Sequence, residues 1–96
     1  MYKLIYTKPF QKELKKLISK FRITEEKLGK TFSLLESNPF HPFLKTHQVE
    51  SKHFGKTWSS RVDGDLRIIW NFDNDDQIKI LLLDIGGHSG KDKVYN

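Results

Sequence analysis

Cysteine is absent from this 96-residue chain, which excludes disulfides and thiolate metal sites and leaves the redox compartment undetermined. Long apolar runs are absent too. The longest purely aliphatic stretch is Ile80 to Leu83, far short of the roughly 20 residues that a membrane-spanning helix needs. The opening MYKLIYTK lacks the basic-then-apolar layout of a secretory signal. No internal repeat or low-complexity tract is present, and the three prolines, Pro9, Pro39 and Pro42, sit where elements should begin or end. None of the four histidines, His41, His47, His53 and His88, forms an HxH or HExxH pair, so no metal site is expected. What remains is the expectation of a soluble cytoplasmic protein with no membrane partner. A single domain spanning 1–96 follows from length, because a second core would have too little volume for its surface.

Positive charge is what the chain has in excess. Lys plus Arg outnumber Asp plus Glu by 17 to 12, for a formal charge of +5. Such a balance favours an anionic partner through counterion release and steering, nucleic acid first and an acidic protein second. The excess is uneven: residues 1–30 hold nine Lys/Arg and three Glu, whereas Asp73 to Gln77 hold three acids in five residues. One side of the protein should therefore be basic.

Periodicity then sets the order of elements. MYKLIYT alternates as a strand does. From Pro9 the period changes, and Phe10, Leu14, Leu17, Ile18 and Phe21 form one apolar stripe on a helix whose other face carries Lys12, Lys15, Lys16 and Lys20. Thr24 can cap a second helix, with Glu25 and Glu26 at the positive end of its dipole and Ile23 and Leu28 in the positions of a hydrophobic staple. Leu28, Phe32 and Leu35 continue its stripe until Ser37-Asn38-Pro39. From Leu44 onward the reading is β, with Ile78 to Ile85 apolar on both faces and hence central. The expected fold class is α+β: an N-terminal strand, a two-helix hairpin, then antiparallel strands in a twisted sheet with the helices on one face. Trp58, Trp70, Phe32 and Phe72 fit its helix–sheet packing, and His41, in NPFHPF, fits a turn.

Asp63-Gly64 invites a two-residue hairpin loop, but that register sets Arg61 against Leu66 and Trp58 against Ile69. A three-residue loop from Asp63 to Asp65 instead pairs Val62 with Leu66, Ser60 with Ile68 and Trp58 with Trp70, which keeps the bulky face continuous. Arg61 and Arg67 then become cross-strand neighbours on the opposite face. Like charges so placed destabilise a sheet by up to ~1 kcal/mol, unless a bound anion or a carboxylate such as Asp63, Asp65 or Asp84 compensates. At the end of the central strand, Gly86-Gly87 should mark where the chain leaves the sheet and set His88 at its edge. A histidine there suits proton transfer near neutral pH.

The strings WSSRVDGDLRIIWNF and LLLDIGGHSGKDKVY resemble the RelE/ParE superfamily of toxins from bacterial type II toxin–antitoxin systems. The likeness spans nearly the whole chain and is densest over residues 55–95. The Gly-x-His near the end is more similar to the YafQ branch than to RelE proper. The resemblance implies a ribosome-dependent endoribonuclease that cuts mRNA without metal or other cofactor and is neutralised by a cognate antitoxin protein. It implies catalytic roles for His88, His47, Arg61, Asp65 and Tyr95; Lys52, His53, Lys56 and Arg67 are the candidates for substrate contact. Arg61 falls where RelE proteins keep a phosphate-binding arginine and the YafQ branch a histidine. Asp84 stands where the YafQ branch has an arginine, so charge at the reacting phosphate would come from Arg61, Arg67, Lys52 or Lys56; the insertion Ser89 to Lys93 lengthens the tail before Tyr95. The alternative from another class is a ParE-like toxin that binds and poisons DNA gyrase without catalysis. A third is a relative that retains the fold and antitoxin binding with a decayed site.

Overall fold

A computed structural model describes residues 1–20, 23–87 and 94 of the chain. The elements run β1 (Lys3–Tyr6), α1 (Lys8–Ser19), α2 (Glu25–Ser37), a short 3-10 turn (Pro42–Leu44), β2 (His47–Ser51), β3 (Gly55–Asp63), β4 (Leu66–Phe72) and β5 (Lys79–Gly87). The strands make one sheet in the order β1-β5-β4-β3-β2, with β1 parallel to β5 and the other neighbours antiparallel. β5 is an interior strand between β1 and β4, as its two apolar faces require. No helix among the described residues is long and apolar enough to cross a membrane.

Both helices form for the reasons the pattern gives. Thr24 caps α2, its hydroxyl accepting from the Lys27 amide at 3.3 Å, and Ile23 and Leu28 on either side of the cap are both buried. α1 packs on β5, while α2 packs on β3 and β1. Phe10 and Leu17 are buried from α1, but Ile18 is 45% exposed. At 100° per residue Ile18 sits about 80° around the helix from Phe10, on the margin of the buried stripe. The expected stripe residue Phe21 lies outside the described residues.

The core fills the space between these helices and one face of the sheet, with Leu66, Ile68, Trp70, Ile80, Leu82 and Ile85 contributed by β4 and β5. Trp70 is fully buried and its indole N–H donates to the Ser60 hydroxyl at 2.8 Å. Trp58, Trp70 and Phe72 all meet the ring of Phe40.

The β3–β4 register pairs Trp58 with Trp70, Ser60 with Ile68 and Arg61 with Arg67, as burial demands. Its mouth differs from expectation. A bulge between Arg61 and Asp63 makes Asp63, not Val62, the partner of Leu66, and the chain turns through Gly64 and Asp65 with Gly64 at φ 43°. The second correction is at the other end of β5: Gly86 and Gly87 do not leave the sheet but pair with Arg67 and Leu66. β4 extends that far, and its backbone groups need partners there.

Candidate nucleic-acid interface

Residues opposite one another in an antiparallel sheet point to the same side, so the register defines what the helix-free face carries. One row across it reads His47, Ser59, Ile69, Asp84, and the next reads Arg61, Arg67, Gly86. Asp84 belongs to this face because of a second bulge. Trp70 pairs with Leu82 whereas Ile69 pairs with Asp84, so Leu83 is an extra residue. Simple alternation from Ile80 and Leu82 would have turned Asp84 toward the helices; the bulge turns it the other way and returns Ile85 to the core.

His47 is held at the start of β2. Lys45 just before it adopts the left-handed conformation at φ 49°, and the Thr46 hydroxyl is 2.6 Å from both the Pro39 carbonyl and the Ser60 hydroxyl. The exposed ring has Nδ1 2.8 Å from the Lys45 carbonyl. A carbonyl only accepts, so Nδ1 carries the hydrogen, and Nε2 has no hydrogen bond among the described residues. Arg61 lies diagonally across from His47, a sheet relation within reach of long side chains.

Among the described residues neither arginine is ion-paired with a carboxylate. The Arg67 guanidinium folds back on the hairpin turn, its Nη1 donating to the carbonyls of Gly64 at 2.7 Å and Leu66 at 3.0 Å. Asp63 is taken by Lys27 of α2 at 2.6 Å; that bond, more than anything else, holds its carboxyl below the usual range, and Arg61 reaches it only through space. Asp65 is exposed in the turn. Lys56 is not with this group: it sits opposite Glu50 and, by alternation, on the side of Trp58 and Ser60.

A groove of about 570 Å³ opens beside β5. Lys8, Lys12 and Lys16 of α1 form one wall, and Lys52 with His53, at the tip of the β2–β3 hairpin, the other. Val94 ties that tip to β5, its amide donating to the Gly87 carbonyl at 2.9 Å and its carbonyl accepting from the Lys52 amide at 2.8 Å. Asp84 is part of the lining and is 6% exposed. Burial raises its carboxyl pKa, opposed by the hydrogen bond from the Ile85 amide; Glu13 adds to the rise, and His53 and Lys52 counter it. A mostly basic groove thus carries a partly neutralisable carboxylate at its base.

His88 and Tyr95 lie outside the described residues, so of the expected site His47, Arg61 and Arg67 share one face, Lys52 and His53 share the adjoining groove, and Asp65 marks the hairpin turn. Sequence reasoning read Lys12 and Lys16 as a solvated helix face of the kind that would dock on ribosomal RNA, and singled out neither Lys8 nor Glu13. Their positions in the charged face of an amphipathic helix carry no signal that sets them apart. Among the described residues no three His, Asp or Glu side chains converge as a metal site would require.

A twisted mixed sheet with a helical hairpin on one face and cationic side chains on the other defines a class of small basic α+β proteins. The solved structures narrow that class to the RelE-like fold. A metal-bound toxin from Helicobacter pylori matches with a TM-score of 0.72 and 22% identity, over 92% of this chain and 96% of that one. The E. coli DinJ–YafQ complex matches at 0.68 and 21% identity, over 92% and 94%. The toxin–antitoxin complex RelBE2 from Mycobacterium tuberculosis matches at 0.56 and 14% identity, over 90% and 96%. No protein-family model and no curated protein sequence matches the chain.

Proposed function

We propose that the chain is the toxin of a type II toxin–antitoxin pair and cuts mRNA in the ribosomal A site. The observation that carries this reading is the helix-free face: a histidine with one ring nitrogen anchored and the other without a hydrogen bond among the described residues, an arginine diagonal to it, and a cationic groove alongside. The shared fold with YafQ and with the toxin–antitoxin complex RelBE2 supports it.

In the proposed reaction a ribose 2′-oxygen attacks the adjacent phosphorus. The new P–O2′ bond forms as the P–O5′ bond breaks, leaving a 2′,3′-cyclic phosphate and a 5′-hydroxyl. His47 and His88 transfer the two protons, one off the 2′-hydroxyl and one onto the leaving 5′-oxygen. Arg61 stabilises the charge that develops on the phosphoryl oxygens, Lys52, His53 and Arg67 position the strand, and Tyr95 orients a nucleotide. Asp65 helps fix the turn that presents Arg67, and Lys56 contributes only to the wider field. No metal or cofactor takes part. An antitoxin, by analogy with the complexes of YafQ and RelBE2, covers the basic surface with an acidic segment.

Mapping mRNA ends in a bacterial translation extract is the test. Defined cuts within codons are expected with the purified chain, and losses of at least ~10²-fold with His88→Ala or His47→Ala. Intact mRNA, or gyrase inhibition that persists in His88→Ala, would replace this reading with the non-catalytic one.

A further inference from the structure

We infer that Asp84 is a specificity residue that accepts a hydrogen bond from a ribose 2′-hydroxyl, so that the groove between α1 and the β2–β3 hairpin takes single-stranded RNA in preference to DNA. The inference deepens the proposed function by assigning that groove a ligand chemistry.

The groove carries a mismatch of charge. Lys8, Lys12 and Lys16 on one wall and Lys52 on the other make the groove a site for an anion, yet two carboxylates lie in its lining: Glu13, which is paired with Lys16 at 3.5 Å, and Asp84. None of these lysines forms an ion pair with Asp84; the one hydrogen bond its side chain makes among the described residues is from the Ile85 amide to Oδ1 at 2.9 Å. Oδ2 has no partner among the described residues, and Asp84 lines the groove. A ligand that suits both features must be polyanionic and must also bring a hydrogen-bond donor, since covering a carboxylate without one leaves it desolvated and unpaired. An acidic peptide side chain brings charge of the wrong sign to Asp84. Nucleic acid brings both features.

Two donors are then available, a base amino group and the 2′-hydroxyl. Lysines on both walls draw the sugar–phosphate backbone into the groove, because phosphate is where the negative charge resides. The donor that accompanies the backbone is the 2′-hydroxyl, which is also the group by which proteins distinguish RNA from DNA.

Fluorescence anisotropy with a labelled single-stranded RNA, the DNA of the same sequence, and RNAs bearing one 2′-deoxy position tests the inference without ribosomes. The wild-type chain should bind RNA about tenfold more tightly than DNA, as one hydrogen bond to a charged group allows, and one of the deoxy positions should account for most of that ratio. Asp84→Leu should bring the ratio close to one while leaving DNA affinity the same or higher. Lys12→Ala and Lys52→Ala should weaken both ligands alike. Asp84→Asn, which keeps an acceptor, should retain part of the preference and guards against a folding defect in the leucine variant. A preference unaltered in Asp84→Leu, equal binding of RNA and DNA by the wild type, or discrimination that follows base identity would overturn the inference. Its failure is separable from failure of the nuclease reading. A chain that leaves mRNA intact in extract yet shows an Asp84-dependent RNA preference sinks only the latter; one that cuts mRNA with no such preference sinks only the former.

Discussion

His47 has one ring nitrogen committed to the Lys45 carbonyl, and its exposure means that little packing depends on it. His47→Ala should therefore lower cutting without shifting the unfolding midpoint. Arg61 is half-buried on the same face, and Arg61→Gln, which keeps much of the stem packing but removes the fixed charge, should lower single-turnover cleavage on programmed ribosomes by ~10²–10³-fold. Asp84 leads to a different kind of measurement. Its folded-state pKa is raised, so the charged form is disfavoured by folding. The stabilisation associated with its proton is complete below the ordinary carboxylate value and is lost as pH rises through the raised one. Asp84→Asn should accordingly melt higher than the wild type at neutral pH. That advantage should shrink as the solution is acidified through the carboxylate range, and an advantage that grew in acid would contradict the assignment.

Elements were the most legible level. The cap at Thr24, the end of α2 before Pro39 and the continuous bulky face of the β3–β4 hairpin each follow from local chemistry: a hydroxyl that satisfies an amide, a ring that cannot donate, and indoles that must be buried together. Thr24→Ala should cost about 1 kcal/mol in denaturant unfolding. Gly64, at φ 43° with open space where a Cβ would go, should lose about 1 kcal/mol on replacement by Ala through backbone strain alone. Bulges were the part that sequence did not disclose. An extra residue in a strand leaves no compositional mark, so neither the shift at Val62 nor the one at Leu83 could be placed from alternation, and the exit of β5 was expected two residues too early.

Charge is the property of the molecule as a whole that ties its parts to a ligand. Three lysines of α1 and one of the hairpin tip meet across a groove although the two segments are far apart in sequence. Binding of single-stranded RNA should weaken linearly in log affinity against log salt, and Lys12→Ala should reduce that slope by roughly 0.7, the loss of one phosphate contact. A slope unaffected by the substitution would remove α1 from the interface. The core beneath is shared by every element, so Trp70→Phe, which shrinks a fully buried ring and deletes its bond to Ser60, should destabilise by about 2 kcal/mol while leaving the surface charges in place.

By itself the sequence determined the basic character, the order of strands and helices, the faces that must be buried, and the pairing of Arg61 with Arg67, because each is fixed by residue chemistry acting over a few positions. Tertiary structure alone decided that Asp84 leaves the core face and lines the groove beside α1, that Arg67 bends onto the turn carbonyls rather than toward a carboxylate, and that Lys8, Lys12 and Lys16 stand opposite Lys52. Those outcomes depend on a bulge and on which segments pack together, and burial of apolar surface over the entire chain selects both.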